Sequence, residues 1–194
     1  MRTPRHILRR PLPLSAFVRL SAFFPFKNAV DKNTALCYTH VMIRMLAPQD
    51  KALFLAMSEE FYASPAVEHS VPRQFHEDAF DEIMRQGPYL TGYLLLDGDT
   101  PAGYALLQKT YSREAGGLTI WIDEIYLRPA FRGKGLAKEL FALAHTLGAK
   151  RLRLEVEPEN ARAVMLYQKL GFRASEYRSM VKDLSAPSPS CTSS

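Results

Sequence analysis

Residues 120–147 read IWIDEIYLRPAFRGKGLAKELFALAHTL, and this stretch decides the fold class. Residues 120–127 predict a strand. Leucines at helical spacing predict a helix over residues 133–147, which Gly148 ends. The glycine-rich segment at residues 132–135 joins the two. The stretch therefore predicts a strand that passes through a short loop into a helix, as in an α/β domain.

Patterns on either side extend this architecture. The sequence predicts strands over residues 41–46, 89–96, 102–109, 118–127, 151–156 and 172–181. It predicts helices over residues 48–63, 74–86, 133–147 and 160–170. The Asp97-Gly98 pair marks a hairpin turn. The order predicts a single α/β domain with a mixed, mostly antiparallel central sheet flanked by about four helices.

Length and composition set limits on the class of protein. A chain of 194 residues with 47% apolar residues is long enough for one folded domain with a core. The sequence contains no apolar run of about eighteen residues, so no membrane association is expected. Its two cysteines, Cys37 and Cys191, offer no disulfide framework and favour a cytoplasmic protein.

The positive charge is concentrated at the N-terminus. Residues 1–41 hold seven Lys and Arg residues and one acidic residue, whereas the remainder holds 18 basic and 19 acidic residues. A near-neutral domain over residues 42–184 does not predict nucleic-acid binding. The basic extension is interpreted as a misassigned start, a targeting segment or a disordered arm, and residues 185–194 as a disordered tail.

The loop at residues 132–137 is a candidate anion site. Its glycines expose backbone N–H groups, Arg132 and Lys134 add positive charge, and the next helix directs its N-terminus at the same place. A plain strand-to-helix turn explains the same residues. A P-loop is disfavoured because Arg128 and Gly135 stand where it needs Gly and Ser or Thr. A dinucleotide fingerprint is disfavoured because Lys138 stands where it needs Gly or Ala.

A second pattern lies in residues 160–172, which read NARAVMLYQKLGF. Asn160 is a good N-cap, Ala163 is small, and Tyr167 lies on an otherwise apolar helical stripe. Gly171 and Phe172 end the helix. A cap and a core aromatic are the ordinary structural explanations of Asn160 and Tyr167.

Both patterns together resemble the GNAT N-acetyltransferase superfamily over about residues 42–184. Its loop pattern is Arg/Gln-x-x-Gly-x-Gly/Ala, which Arg132, Gly135 and Ala137 match. The resemblance implies that acetyl-CoA is the cosubstrate and that no metal is needed. The implied cofactor-binding residues are Tyr126, Leu127, Arg132, Gly133, Lys134, Gly135, Leu136, Ala137, Asn160, Ala163 and Tyr167.

The resemblance also implies direct attack of a primary amine on the thioester. Tyr167 would return a proton to the CoA thiolate, and the Leu127 N–H would polarise the carbonyl. The candidate bases are Glu155, Asp123 and Glu124, acting directly or through water. Asp123 and Glu124 are neighbours on one strand, so they share a cleft only if a bulge intervenes.

The sequence hypothesis is an N-acetyltransferase with acetyl-CoA and an amine as partners, and a small-molecule amine is favoured. A protein N-terminus or lysine is the alternative acceptor. A non-catalytic acyl-CoA-binding module and a nucleotide-binding protein are the alternatives from other classes. His69 and His76 lack the partners of a metal motif. A homodimer is an option, because many members of the superfamily pair.

Overall fold

The strands form one five-stranded sheet in the computed structural model, which describes residues 41–67, 69–182 and 184. The sheet order follows the chain order, with β1 to β4 antiparallel to their neighbours and β5 parallel to β4. The mixed, mostly antiparallel sheet is therefore confirmed. The strands are β1 (Val41–Met45), β2 (Thr91–Asp97), β3 (Thr100–Ser112), β4 (Gly117–Leu127) and β5 (Arg151–Leu154).

The described residues contain four α-helices, whose bounds lie within three residues of the predicted ones. They are α1 (Lys51–Tyr62), α2 (Arg73–Met84), α3 (Leu136–Thr146) and α4 (Ala161–Lys169). Helix α3 begins three residues later than predicted because Gly133 and Gly135 have φ angles of 81° and 87°. Those angles are outside the helical region, so the glycines form the loop instead.

The described residues fall into two compact units, 41–157 and 158–184. The first contains the sheet and α1 to α3, and the second contains α4. The predicted N-terminal extension, apart from Val41, and the predicted tail at residues 185–194 lie outside the described residues.

The first unit buries both faces of its sheet. One face packs against α1 and α2, and its core includes Leu94, Leu106, Tyr104 and Phe54. Side chains alternate along a strand, so Leu95, Leu107 and Ile120 lie on the opposite face, where they are also buried. The sheet is therefore a rigid platform for the residues at its strand ends.

Strand β4 carries a bulge beside its two acidic residues. Leu106 pairs with Glu124, whereas the next residue of β3, Leu107, pairs with Ile122, so Asp123 is the extra residue. Cross-strand partners share a face, which puts Glu124 on the face of Leu106 and Ile122 on the face of Leu107. Asp123 follows Ile122, so its side chain lies on the same face as that of Glu124. The bulge that the sequence argument required is present.

Strands β4 and β5 pair over only four residues each. The ladder runs from Thr119 opposite Arg151 to Ile122 opposite Leu154, where β5 ends. Strand β4 continues to Leu127. Its last five residues therefore extend beyond the ladder with β5 and leave an opening at this end of the two strands.

The predicted last strand over residues 172–181 is wrong. The structure has no strand in residues 172–182, and Tyr177, Met180 and Val181 are largely exposed. The apolar positions 172, 174, 177, 180 and 181 do not keep a period of two. The segment therefore offers no continuous apolar face for a sheet to bury.

Candidate active site

The Glu124 side chain lies on the face of the sheet that packs against α1 and α2. Its carboxylate accepts a hydrogen bond of 2.7 Å from the Tyr62 hydroxyl and another of 2.7 Å from the Tyr104 hydroxyl. Burial raises the pKa of Glu124, the charge of Asp123 adds to the rise, and the two tyrosine hydrogen bonds oppose it. Glu124 is thus a fixed carboxylate whose proton affinity is above that of an exposed glutamate.

The two tyrosines act as donors to this carboxylate. Burial raises the pKa of Tyr62 and of Tyr104, and the charge of Glu124 raises both further. Each phenol therefore keeps its proton at neutral pH. Tyr62 ends α1 and Tyr104 lies in the middle of β3, so a helix and a strand hold Glu124 between them.

Two more carboxylates lie within electrostatic range. Asp123 is exposed as a residue, yet desolvation of its carboxyl raises its pKa, a hydrogen bond with Gln108 opposes the rise, and the charge of Glu155 adds to it. Glu155 follows the end of β5 and is exposed. The three predicted base candidates therefore belong to one acidic region, in which Glu124 is the most enclosed.

The pairing of β4 with β3 determines which backbone groups at the end of β4 face away from β3. The Arg128 N–H donates to the Ala102 carbonyl at 2.9 Å, which directs residue 128 toward β3. Backbone groups alternate in an antiparallel ladder, so the groups of Tyr126 also face β3 and those of Leu127 face away. Leu127 therefore presents its N–H on the side of the opening, while its carbonyl accepts from Arg132 Nε at 2.9 Å.

The glycine-rich loop is open above its backbone. A Cβ placed on Gly133 or Gly135 would meet no atom within 4 Å. Gly135 is the N-cap of α3, and no side chain caps that helix end, so the first N–H groups of the helix remain available to a ligand.

The side chains of the loop have different surroundings. Lys134 Nζ donates to Asp97 at 2.7 Å and lies 4.9 Å from the centre of the Phe131 ring. Leu136 is buried in the core, whereas Ala137 is half-buried. The loop therefore offers backbone N–H groups and the Arg132 guanidinium to an anion more directly than it offers Lys134.

The predicted residues of the second unit lie on α4 and its ends. Asn160 is the N-cap, and its Oδ1 accepts from the Ala163 N–H at 3.2 Å. The Tyr167 ring lies edge-on to Phe172 at 5.7 Å, and burial raises the pKa of the phenol. The capping role of Asn160 is confirmed.

Sequence reasoning missed the tyrosines that hold Glu124. Tyr62 lies 62 positions before Glu124 in the chain and Tyr104 lies 20 before it. Neither residue carries a functional prediction from the sequence, because no local pattern reports a contact over such separations. The signal exists only in the sheet register and in the packing of α1 on the sheet.

Among the residues that the structure describes, no helix has both the length and the apolar character needed to span a membrane. The same residues contain no group of three or more His, Cys, Asp or Glu side chains arranged to hold a metal ion.

Known acetyltransferases resemble this chain in sequence. The sequence model of the acetyltransferase (GNAT) family matches residues 54–172. The peptidyl-lysine N-acetyltransferase YjaB of Salmonella typhimurium is 36% identical over 113 residues, which cover 58% of this chain and 68% of that protein. The thialysine N-epsilon-acetyltransferase of Bos taurus is 36% identical over 78 residues, 38% of this chain and 45% of that enzyme.

Solved structures share the fold. The aminoglycoside N-acetyltransferase AAC(6')-Iy, solved in complex with CoA, superposes with a TM-score of 0.62 at 19% identity, covering 78% of this chain and 99% of that one. A structure from Clostridium difficile 630, described as a possible acetyltransferase, gives a TM-score of 0.64 at 16% identity and covers 74% and 97%.

Proposed function

Because the chain belongs to the GNAT acetyltransferase family, we propose that it transfers an acetyl group from acetyl-CoA to a primary amine by direct attack in a ternary complex. The observation that carries this proposal is the Glu124 carboxylate, held by two tyrosine hydroxyls beside the opening between β4 and β5. A general base in that place suits an amine that must lose a proton to attack.

Acetyl-CoA binding is assigned to the loop and to the end of β4. The pyrophosphate would accept from the N–H groups of residues 133–137 and from Arg132, and the N-terminus of α3 would add its positive dipole. The Leu127 N–H faces the opening, so it suits the thioester carbonyl or the pantetheine arm better than the backbone of Tyr126 does. The family pattern adds Asn160 and Ala163 as contacts.

Acetyl transfer needs one group that takes a proton from the amine and one group that gives a proton to the leaving thiolate. The amine gives a proton to Glu124, its nitrogen bonds to the acetyl carbon, and the carbon–sulfur bond breaks. The thiolate then needs a proton, and the family pattern assigns that role to Tyr167. Burial raises the pKa of this phenol, so it is protonated before transfer, as a general acid must be.

Glu124 is preferred as the base over the other two acids. Burial brings its pKa closer to neutral pH, which improves a base that works there. Asp123 and Glu155 are exposed, so we assign them the attraction of a cationic amine rather than the proton transfer.

The acceptor class is a primary amine on a flexible cationic chain. The relatives from Salmonella typhimurium and Bos taurus are named for peptidyl-lysine and thialysine. A further relative, 30% identical over 87 residues, is the spermine/spermidine N(1)-acetyltransferase of Bacillus subtilis, and all of these substrates share this group. The acidic region around Asp123, Glu124 and Glu155 supports such a substrate. A free small-molecule amine is favoured, and a protein lysine or N-terminus is the alternative.

Calorimetry followed by an amine panel tests the proposal. The full chain is titrated with acetyl-CoA, with ATP and NAD as controls, and is then assayed with spermidine, thialysine and a lysine peptide. We expect micromolar acetyl-CoA binding, no comparable binding of the controls, and thiol release that depends on the amine. Binding without turnover would favour a non-catalytic acyl-CoA module. Binding of ATP or NAD instead would favour a nucleotide-binding protein.

A further inference from the structure

One carboxylate of α1 receives hydrogen bonds from two residues at the end of β4. Arg128 donates to Glu60 through Nε at 3.0 Å and through Nη2 at 2.9 Å, so its guanidinium spans both carboxylate oxygens. The Tyr126 hydroxyl donates to the same carboxylate at 2.9 Å. Glu60 lies in the last turn of α1. The three hydrogen bonds therefore join the end of a helix to the end of a strand.

The residue between these two donors is Leu127, whose N–H faces the opening at the end of β4. The side chains of Tyr126 and Arg128 lie on the same face of the sheet, because alternate residues of a strand share a face. Arg132 Nε donates to the Leu127 carbonyl at 2.9 Å. Glu60 therefore holds the residues on both sides of Leu127, and Arg132 holds its carbonyl.

The end of β4 needs such support because it lies at an open side of the sheet. Within the residues that the structure describes, it pairs with β3 alone, since the ladder with β5 stops at Ile122. A guanidinium that binds a carboxylate through two N–H groups fixes an angle as well as a distance. The contact with α1 is thus suited to restrict the tilt of the peptide group that carries the Leu127 N–H.

We propose that Glu60 is a positioning residue, which fixes the direction of the Leu127 N–H by holding Tyr126 and Arg128 against α1. The Arg128 hydrogen bond lowers the pKa of Glu60, desolvation opposes that change, and the Tyr126 hydrogen bond adds to it. Glu60 is therefore ionised at neutral pH and accepts from all three donors. The assignment rests on the proposed function only in giving the Leu127 N–H the thioester carbonyl as its acceptor.

The last turn of α1 also holds the proposed base, because Tyr62 donates to Glu124 at 2.7 Å. Residues 124, 126 and 128 alternate along β4, so their side chains reach the same helix. Glu60 and Tyr62 thus set the relative position of the carboxylate that would take the amine proton and the N–H that would polarise the carbonyl. Attack by the amine requires both groups in place at once.

Four substitutions separate this role from general support of the helix. Glu60→Ala removes all three hydrogen bonds, whereas Glu60→Gln keeps the size of the side chain and one acceptor oxygen. Tyr126→Phe removes one hydrogen bond and keeps the ring against Phe61, whose centre lies 5.7 Å away. Glu59→Ala is the matched control, because Glu59 is the preceding residue of α1 and pairs with Arg73 of α2.

The first readout is the NMR order parameter of the Leu127 backbone amide in the full chain without ligand. We expect about 0.85 in the wild type, a fall toward about 0.6 in Glu60→Ala, and smaller falls in Glu60→Gln and Tyr126→Phe. The amide of Ile122, inside the ladder with β5, should keep its value in every variant. Glu59→Ala should leave both amides unchanged. The melting temperature should change little, because the pair with Arg128 is partly exposed.

The second readout is acetyl transfer to an amine. A misdirected N–H stabilises the transition state less, so we expect Glu60→Ala to lower kcat about tenfold. Acetyl-CoA affinity, measured by calorimetry, should change less than about twofold, because the loop that would hold the pyrophosphate is untouched. Glu59→Ala should leave both quantities unchanged.

An unchanged Leu127 order parameter in folded Glu60→Ala and Glu60→Gln would overturn the proposal. Equal falls at Leu127 and Ile122 would also overturn it, because they would indicate a general loosening of the sheet, as would a fall at Leu127 with no loss of kcat in an active enzyme. If Glu60→Ala does not fold, Glu60→Gln and Tyr126→Phe decide in the same way. Since the order parameter needs no substrate, a wild type that acetylates no amine would refute the proposed function and leave this test of Glu60 intact.

Discussion

Asp123 is the extra residue of the β4 bulge and Glu124 is the next residue in register, so two adjacent carboxylates lie on the same face of the sheet. Regular strand alternation would have put one of them on the opposite face. The bulge therefore lets Glu124 take the enclosed position between Tyr62 and Tyr104 while Asp123 remains toward solvent.

Glu124→Gln is expected to reduce kcat about a hundredfold or more, because it removes the carboxylate that we propose as the general base. Acetyl-CoA affinity should stay unchanged, since the loop is untouched. The matched variant is Glu155→Gln, which removes an exposed acid of the same region and should change kcat by less than about threefold. Steady-state kinetics with spermidine and calorimetry measure the two quantities. Equal losses in both variants would contradict the assignment of the base.

Burial of Glu124 makes stability and activity respond in opposite directions to pH. Its folded pKa is raised above 4.5, so the folded state binds the proton more tightly than the unfolded chain does. Stability then falls as pH rises from about 4.5 through the folded pKa, whereas kcat/KM rises because the base must be ionised. We expect the melting temperature of Glu124→Gln relative to the wild type to increase over this interval. An advantage that grows toward low pH would contradict the raised pKa.

Gly135→Glu is expected to abolish acetyl-CoA binding. The new side chain would strain a φ of 87° and place a negative charge where the pyrophosphate is expected. Gly148→Glu is the matched control, because Gly148 has a φ of 84° and equally open surroundings at the other end of α3. Both variants should lose similar stability, and only the first should lose the thermal shift that acetyl-CoA produces. If both variants lost the thermal shift, a folding defect would explain the result and the binding role of the loop would be contradicted.

Tyr167→Phe is expected to lower kcat about tenfold or more with little change in acetyl-CoA affinity, because it removes the hydroxyl that we propose as the proton donor to the thiolate. Tyr89→Phe is the control, since Tyr89 is 74% exposed and outside both patterns. Product release measured with thioesters of different leaving-group acidity checks the role. A Tyr167→Phe variant that is equally impaired with every leaving group would argue against proton return.

The Arg44–Asp50 pair is expected to stabilise the first unit and to have no part in acetyl transfer. Two hydrogen bonds of 2.6 and 2.8 Å join them, and the Ala47 N–H donates to the same carboxylate. Asp50→Ala should reduce the free energy of unfolding by about 2 to 3 kcal/mol, because it leaves a guanidinium and an N–H without their acceptor. Denaturant titration measures this change.

The control for that variant is Asp81→Ala, which breaks an exposed pair with Lys51 and should change the free energy of unfolding far less than Asp50→Ala does. The hydrogen bond with Arg44 lowers the pKa of Asp50, so its contribution is present above pH 3.8 and is lost as pH falls toward the folded pKa. Equal costs for the two variants would contradict the distinction between the buried and the exposed carboxylate.

Local patterns in the sequence were sufficient to predict most helices and strands of the first unit. The leucines of α3 and the alternation in β5 depend on neighbours a few positions away, so periodicity found these elements within a few residues. The glycine-rich loop at residues 132–137 was also predictable, because its glycines lie together in the chain. The strand over residues 172–181 was wrong because a short, broken alternation does not determine whether a neighbouring strand will accept it.

The candidate site could be predicted only in part. Adjacent acids at 123 and 124 were visible, but the bulge that brings them to one face depends on the register with β3. The hydroxyls of Tyr62 and Tyr104 reach Glu124 through tertiary packing alone. The same holds for the hydrogen bond between Ser58 and His76.

The measurement that tests the central claim most directly is the rate of acetyl transfer by the full chain with saturating acetyl-CoA, compared between the wild type and Glu124→Gln. Thiol release and the mass of the acetylated amine are followed together with spermidine, thialysine and a lysine peptide. We expect amine-dependent transfer by the wild type to at least one of them and a loss of about a hundredfold or more in the variant. A folded wild-type protein that binds acetyl-CoA and acetylates no amine, or a variant as fast as the wild type, would contradict the account.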